Sequence, residues 1–419
     1  MLKINKQFVE SALLFMCFTG MLFNTLFGAI AALCFLISGV LFCILYENKL
    51  LDLLINNKLL LAIPLLAIVS CAWSDIPLTA LRGGIQLLLT TVFAMIIAAV
   101  VRFDSFIKIA GFCFFVTMFL CFVSDRYALN GMTGERSLIG IFDSKNFLSM
   151  NAALSVLVGF AIYKSKSFQR TINIFGAVLV VLSFLVLLKA NSLGSIVTTI
   201  LVMLLAFLYI YYQRIKLSLF VRGQFNWLIV VSFLILVATL ILIGNTSTFD
   251  NVMYDLGKDP TLTGRTFIWS RGLESITENP IFGLGFQSAF YVGNPLAEEI
   301  WEFAHVPSGA GFNFHNMYID ITVEMGLLGG FIFIMLLGKF IRLLANNKKL
   351  EFGSKEGFAL MVFLYMFLQT FLEAGWFSQF TISHFLTCSA WIYLNQTTEL
   401  KSIKLRLKTI DDPLFISDW

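Results

Sequence analysis

Apolar runs of about 20 residues recur along this chain, broken by short polar turns, and each is long enough to cross roughly 30 Å of hydrocarbon as a helix. Twelve such runs are centred near residues 16, 37, 65, 92, 114, 154, 181, 202, 235, 330, 363 and 385, the first two parted only by a polar break around Asn24. The pattern predicts an all-α, polytopic integral membrane protein with about 12 transmembrane helices. One long polar interruption, residues 245–314, falls between the ninth and tenth runs. With no internal repeat, Gly/Ser linker or low-complexity tract, residues 1–419 read as a single integral membrane domain carrying that loop as an insert. Lys3 and Lys6 precede an apolar stretch too long for a cleavable signal, so the first run reads as a retained span.

Composition agrees: 58% of residues are hydrophobic and 13% charged. The seven cysteines lie in or beside apolar runs with no Cys-x-x-Cys pair, so they read as small buried hydrophobes, without disulfides or a zinc site. Charge placement sets the orientation. With the amino terminus in the cytoplasm and twelve alternating helices, 21 of the 29 lysines and arginines fall on the cytoplasmic side. Arg82, Arg126, Arg136, Lys145, Lys189, Lys258, Arg265 and Arg271 remain outside. That asymmetry is the positive-inside rule. It puts both termini in the cytoplasm and the long loop in the exoplasm, which for a Gram-negative cell is the periplasm. The net charge of +4 is spread over short turns and implies no nucleic-acid partner.

Because exoplasmic cations are few, each invites a reason. Arg136 and Lys145 share the segment GERSLIGIFDSKNF, and Lys189 closes the seventh run on the same side. GRTFIWSRGLESITENP, with Arg265 and Arg271, predicts an interfacial helix in the 245–314 insert. Thr263 would cap it, Ile268, Trp269, Leu273 and Ile276 would form its apolar face, and Asn279-Pro280 would stop it. The following Gly283-Leu284-Gly285 turn offers backbone amides to an anion. Arginine suits phosphate because its planar fork donates two parallel hydrogen bonds and keeps its charge. The competing structural reading pairs these cations with loop carboxylates such as Asp125, Glu135, Asp143, Glu274 and Glu278.

His315 stands at the mouth of the tenth run, where Asn316, Asp320 and Glu324 share one helical face entering the membrane. Carboxylates inside a span mark a cavity or an interior partner, and an imidazole beside them suits proton transfer from a hydroxyl. Glu373, at the exoplasmic entry to the last run, is a further candidate. Gly326 and Gly330 read as a small-xxx-small pair for helix packing. His305 reads as exposed and His384 as a satisfied interior histidine. The three histidines show no metal spacing, and no Gly-x-Ser-x-Gly elbow is present.

Taken together these segments resemble the O-antigen ligase/polymerase-like superfamily, which includes Wzy-type and ExoQ-like polysaccharide polymerases and WaaL-type O-antigen ligases. Trp73-Ser74-Asp75-Ile76-Pro77 with Leu81-Arg82 resembles its "WS..P...LR" element, and Gly140-Ile141-Phe142 through Lys145-Asn146 its "G.F..KN" element. Gly264-Arg265, Trp269, Asn279-Pro280, Gly283 and Gly285 follow the "GR...W......NP..G.G" loop. His315-Asn316, Glu324 and Gly326-Leu327-Leu328-Gly329 follow "HN......E.GLLG". Where many ligases carry Ser-Arg-Gly after the seventh span, this chain has Ser192-Leu193-Gly194, with Lys189 three residues earlier, which tilts the reading toward a polymerase.

The resemblance implies a metal-independent glycosyltransferase that needs no cofactor and acts on an undecaprenyl-pyrophosphate-linked oligosaccharide and a glycan acceptor. Its product would be polymerised repeat units of an O-antigen, capsule or exopolysaccharide. Arg136, Arg265, Lys145, Lys189 and Arg271 would bind the pyrophosphate, and His315, Glu324 and Asp320 would be catalytic. A chain-length regulator and a flippase would be further partners. Two alternatives stay open: a ligase transferring glycan to lipid A-core or protein, and a lipid-linked oligosaccharide flippase or transporter. The latter would favour midplane ionisable residues and repeated halves, whereas the span interiors here offer only Glu10, Asp320, Glu324 and His384 and the halves look unlike each other.

Overall fold

The computed structural model describes residues 6–129, 136–214, 264–347 and 350–410, the last helix by its backbone alone beyond Gln396. The ninth apolar run, Glu135, Lys258 and the start of the long loop through Thr263 lie outside those residues. The longer helices are α1 (Lys6–Leu22), α2 (Ala29–Leu45), α3 (Glu47–Asn56), α4 (Lys58–Val69), α5 (Pro77–Val100), α6 (Phe103–Val123) and α7 (Lys145–Lys164). They continue with α8 (Arg170–Lys189), α9 (Leu193–Arg214), α10 (Arg265–Glu278), α11 (Pro295–Phe303), α12 (Met317–Asn346), α13 (Lys355–Gln369) and α14 (Ile382–Ile410).

A helix covers each described apolar run, so the polytopic helical class stands. Among the described residues, six helices are long and apolar enough to cross a membrane by length and composition: α5, α6, α7, α8, α9 and α12. A seventh appears if α2 and α3, which meet at a 98° bend, make one broken span. Of the other runs, the ninth lies outside the described residues, and α1, α2, α4 and α13 are 17, 17, 12 and 15 residues long. That is shorter than the ~20 residues a span needs. One departure from an all-helical chain is a small antiparallel pair, β1 (Tyr127–Leu129) with β2 (Arg136–Leu138), in which Leu129 faces Arg136. All seven cysteines are free.

Lipid does not drive helices together hydrophobically, so packing rests on close approach and interior polar contacts. In α7, 78% of the apolar window is buried, against 28% in α8 and 33% in α9, which places α7 in the interior. Ser155 of α7 and Ser183 of α8 meet at 2.7 Å, and a Cβ on Gly159 would lie 2.9 Å from the Gly176 carbonyl oxygen.

Polar loops collect at two opposite ends of this bundle. One end joins Trp391 and Asn395 to Asn57, Ser167 to Asp104 and Lys166 to Glu351. The other gathers the segments around 70–82, 140–146, 264–316 and 370–381, and the candidate chemistry lies there.

A broken helix organises that second end. α12 loses helical geometry at Gly326 (φ 66°, ψ −171°). The break leaves backbone groups without intrahelical partners, which within apolar surroundings must be satisfied by other protein groups. Segment 280–285 supplies them. Leu284 N and Gly285 N donate to the Val323 and Glu324 carbonyls at 2.8 Å each, while Leu327 N and Leu328 N donate to the Pro280 and Ile281 carbonyls. Gly326 is therefore the site of a kink, not half of a helix-packing pair: the neighbour it touches is the inserted backbone. The 70–82 segment clamps the same insert from its far side. Trp73 Nε1 donates to the Phe282 carbonyl at 3.1 Å, Phe286 N donates to Ser70 Oγ at 2.9 Å, and Ser74 Oγ meets Ser288 Oγ at 2.7 Å.

Candidate functional site

The site is built around Glu373, in the loop between α13 and α14. Its Oε2 lies 2.9 Å from His315 Nδ1, and its Oε1 accepts from Arg265 Nη2 at 3.1 Å and from Asn146 Nδ2 at 2.9 Å. Four separate elements thus meet on one carboxylate. Burial by itself would raise the Glu373 pKa, but the His315 ring and the Arg265 guanidinium outweigh it and hold the carboxyl below its ordinary value. In the neutral ring, a hydrogen on Nδ1 facing the carboxylate would leave Nε2 with a free lone pair.

Each partner is fixed locally. His315 sits at φ 48°, a left-handed conformation that costs a non-glycine residue about 1–3 kcal/mol and recurs at functional sites. Asn313 Oδ1 holds it by accepting from His315 N at 2.8 Å. The next residue, Asn316, caps α12, its Oδ1 accepting from Tyr318 N and Ile319 N. Met317 N donates to the Thr370 carbonyl at 2.8 Å and so ties α12 to the loop that carries Glu373. Arg265 opens α10, whose N-cap is Gly264 at φ 77° with no side-chain cap; Thr263 lies outside the described residues. α10 ends at Asn279, as expected. It buries Ile268, Gly272 and Ser275, whereas Leu273, expected on that face, is exposed. Trp269 is pinned by its Nε1 to the Phe314 carbonyl at 2.9 Å, which fixes Arg265 relative to His315.

Other expected residues are placed differently. Six residues along α10 is about 240° of rotation, so Arg271 leaves the Arg265 face. It pairs with Glu274 at 2.5 Å and, more closely, with Glu299. Lys189 Nζ donates to the Phe122 carbonyl at 2.8 Å, capping the end of α6. Arg136 is exposed with its guanidinium 4.6 Å from the Tyr127 ring centroid. Lys145 begins α7 and adjoins Asn146. The amides of Gly283, Leu284 and Gly285 donate to the Asn279, Val323 and Glu324 carbonyls, so the turn expected to offer them to an anion has none to spare. His305 is exposed. His384 is buried between Thr91 Oγ1 and the Trp376 carbonyl, both at 2.8 Å, as a satisfied interior histidine.

Asp320 and Glu324 do not touch the imidazole. Asp320 Oδ1 accepts from Phe314 N at 3.2 Å, and both carboxyl groups line a cavity of about 390 Å³ between α12, the 286–290 segment and the 374–379 loop. The Gln287–Gln379 amide pair, at 2.9 Å, belongs to the same wall. Neither glutamine, nor Asn146 as a ligand of Glu373, stands out in the sequence, because a single amide carries no periodic signal.

Residues 177–334 match the family model Wzy_C, described as O-Antigen ligase. That stretch contains Arg265, His315, Asp320 and Glu324, while Asn146 and Glu373 fall outside it. The chain is 29% identical over 316 residues to the Exopolysaccharide production protein ExoQ of Rhizobium meliloti, covering 74% of this chain and 71% of that protein. A Rickettsia felis protein named as a candidate polysaccharide ligase is 31% identical over 97 residues, 23% of this chain and 24% of its own length. The apolar helices, the matched domain and these relatives agree: the chain is similar to proteins of the O-antigen ligase-like superfamily.

Proposed function

We propose that this chain is a glycosyltransferase of a bacterial inner membrane that uses an undecaprenyl-pyrophosphate-linked oligosaccharide at the periplasmic face and polymerises its repeat units. The observation that carries this reading is the meeting of Arg265 and His315 on Glu373. A cation fit for phosphate and a base fit for a hydroxyl are thereby held on one carboxylate, at the end of the bundle where the motif loops gather. Twelve spans, both termini in the cytoplasm and a periplasmic loop insert over 245–314 complete the proposal, supported by the charge asymmetry and by the sorting of loops to opposite ends.

In this mechanism the acceptor hydroxyl approaches His315 Nε2 and gives up its proton there as its oxygen bonds to the anomeric carbon. The bond from that carbon to the pyrophosphate oxygen breaks, and its electron pair leaves with the lipid pyrophosphate. A single displacement inverts the anomeric configuration. Arg265, with Lys145 close by in sequence to the Glu373 ligand Asn146, offsets the charge developing on the leaving group, in place of a metal ion. Arg136 and Lys189 are assigned to the outer part of the phosphate path.

Polymerisation is favoured over ligation because Leu193 replaces the ligase arginine. The relative that spans most of the chain is also named for exopolysaccharide production, whereas the ligase-named relative covers 23%.

Purified protein given a defined lipid-linked repeat is expected to yield multimers by mass analysis. His315→Ala and Arg265→Ala should each slow their appearance by at least about 100-fold. Arg271→Ala, already neutralised by two glutamates, should change the rate by less than about threefold. Unaltered product from both first variants would sink the assignment. Transfer to a non-repeat acceptor, with no multimers, would identify a ligase.

A further inference from the structure

The cavity beside the imidazole has a lining that selects for a particular kind of sugar. Phe312, whose ring meets His315 edge-on with centroids 5.8 Å apart, is in its wall, as is Ala374, the neighbour of Glu373 in the chain. At about 390 Å³ it falls within the range of small-molecule sites, roughly 300–1,000 Å³. Its polar groups are carboxyl and amide: Asp320 and Glu324 one turn apart on α12, the Gln287–Gln379 pair, and Asn313. Aromatic rings, Phe286 and Phe290 among them, supply flat apolar faces. Among the described residues, none of the lining side chains is a lysine, arginine or histidine.

These features have a chemical consequence. Carboxyl and amide groups accept and donate hydrogen bonds to sugar hydroxyls, and carboxylates also accept from an ammonium group. An acidic sugar would leave water for a space that offers its carboxylate no cation and places two further carboxyl groups nearby. An unpaired anion in such surroundings is strongly disfavoured. Arg265, which is paired with Glu373, is not part of that lining.

Resting on the function proposed above, we infer that this cavity is the subsite for the terminal sugar of the acceptor, and that it takes a neutral or amino-bearing residue and rejects a uronic acid. Phosphate and acceptor are thus sorted by charge: the diphosphate goes to Arg265, the uncharged or cationic sugar to the Asp320–Glu324 cavity, and His315 stands between them.

The test uses the full-length protein in lipid nanodiscs. Binding of methyl glucoside, methyl glucosaminide and methyl glucuronide is followed by saturation-transfer NMR, without donor and without turnover. The glucoside and glucosaminide are expected to bind and the glucuronide to bind at least about tenfold more weakly. Gln379→Lys, which puts a cation in the wall, should narrow that gap to less than about threefold, and Glu324→Gln should reduce the glucosaminide signal relative to the glucoside. Ala374→Trp, which fills the space, should abolish all three while leaving elution volume and melting temperature near the native values. Equal binding of the glucuronide, binding that survives Ala374→Trp, or no binding of any glycoside overturns the inference. The proposed function fails separately. Charge selectivity without multimer formation sinks the polymerase reading and leaves the cavity assignment standing. Multimer formation that proceeds equally on acceptors ending in glucose and glucuronic acid sinks the cavity assignment alone.

Discussion

Glu373→Gln is expected to slow glycosyl transfer by about 10²- to 10⁴-fold in a protein that still folds, a loss comparable with that of His315→Ala. The substitution keeps the size of the side chain but removes the charge shared by His315 Nδ1, Arg265 Nη2 and Asn146 Nδ2. An uncharged amide cannot support an imidazolium as it forms, and it presents a donor where Nδ1–H needs an acceptor, so tautomer and ring orientation are both disturbed. Glu373→Asp retains the charge and should recover part of the rate. The effect on stability has a definite sign. The folded-state pKa of Glu373 is depressed, so its contribution is complete above the unfolded value of about 4.3 and is lost as pH falls through the depressed folded value. The melting-temperature difference between native protein and Glu373→Gln should therefore be full at neutral pH and shrink on acidification below about pH 4. A variant that loses stability but transfers at the native rate would show Glu373 to be a strut only. A rate loss repaired by Glu373→Asp would show that the carboxylate positions His315 and Arg265.

How far this site can be seen in the sequence follows from how far apart its parts lie. Arg265 and His315 are visible because polar residues at the outer ends of apolar runs are scarce, and scarcity is a local property. The bounds of α10 are visible for the same reason, with Asn279-Pro280 stopping a helical pattern. Glu373 is harder to weigh, since nothing near it in the chain explains it: its partners lie 58, 108 and 227 positions away. Asp320 and Glu324 are visible as a stripe one turn apart, but the pattern cannot say whether the stripe faces the imidazole or a cavity beside it. The Gly283-Leu284-Gly285 turn and Gly326 show the sharper limit. A glycine spacing that permits close helix packing is identical, as a string, to one that permits a helix to break. An open anion-binding turn likewise reads the same as one whose amides are already spent. Only the tertiary pairing of segment 280–285 with α12 separates these cases.

Gly326→Ala is expected to destabilise the protein by more than about 3 kcal/mol, with loss of monodisperse material in detergent and a collapsed melting transition. Two independent effects add. At φ 66° and ψ −171° the residue occupies a region open almost solely to glycine, at about 1–3 kcal/mol for any other residue. A Cβ there would also lie 2.0 Å from the Ile281 carbonyl oxygen and 2.5 Å from Phe282 N, both backbone atoms of the inserted segment, which cannot swing aside as a side chain would. Relief requires the 280–285 segment to withdraw, which strands the Val323 and Glu324 carbonyls and the Leu327 and Leu328 amides within an apolar helix. Gly283→Ala should behave alike, since its Cβ would meet the Val323 carbonyl oxygen at 2.5 Å from the opposite side of the same junction. Gly330→Ala is the contrast. Its Cβ would approach only Thr322 Oγ1 of the same helix, at 3.1 Å, and the cost should stay below about 1 kcal/mol. If Gly326 and Gly330 served as a helix-packing pair, the two substitutions would weaken the protein to a similar degree. A large loss at 326 with little change at 330 follows only from a helix broken to admit the segment that joins α10 to the cavity. Because that segment positions both α10, which bears Arg265, and Gln287 of the cavity wall, any Gly326→Ala protein that does fold should transfer slowly even with His315 and Glu373 intact.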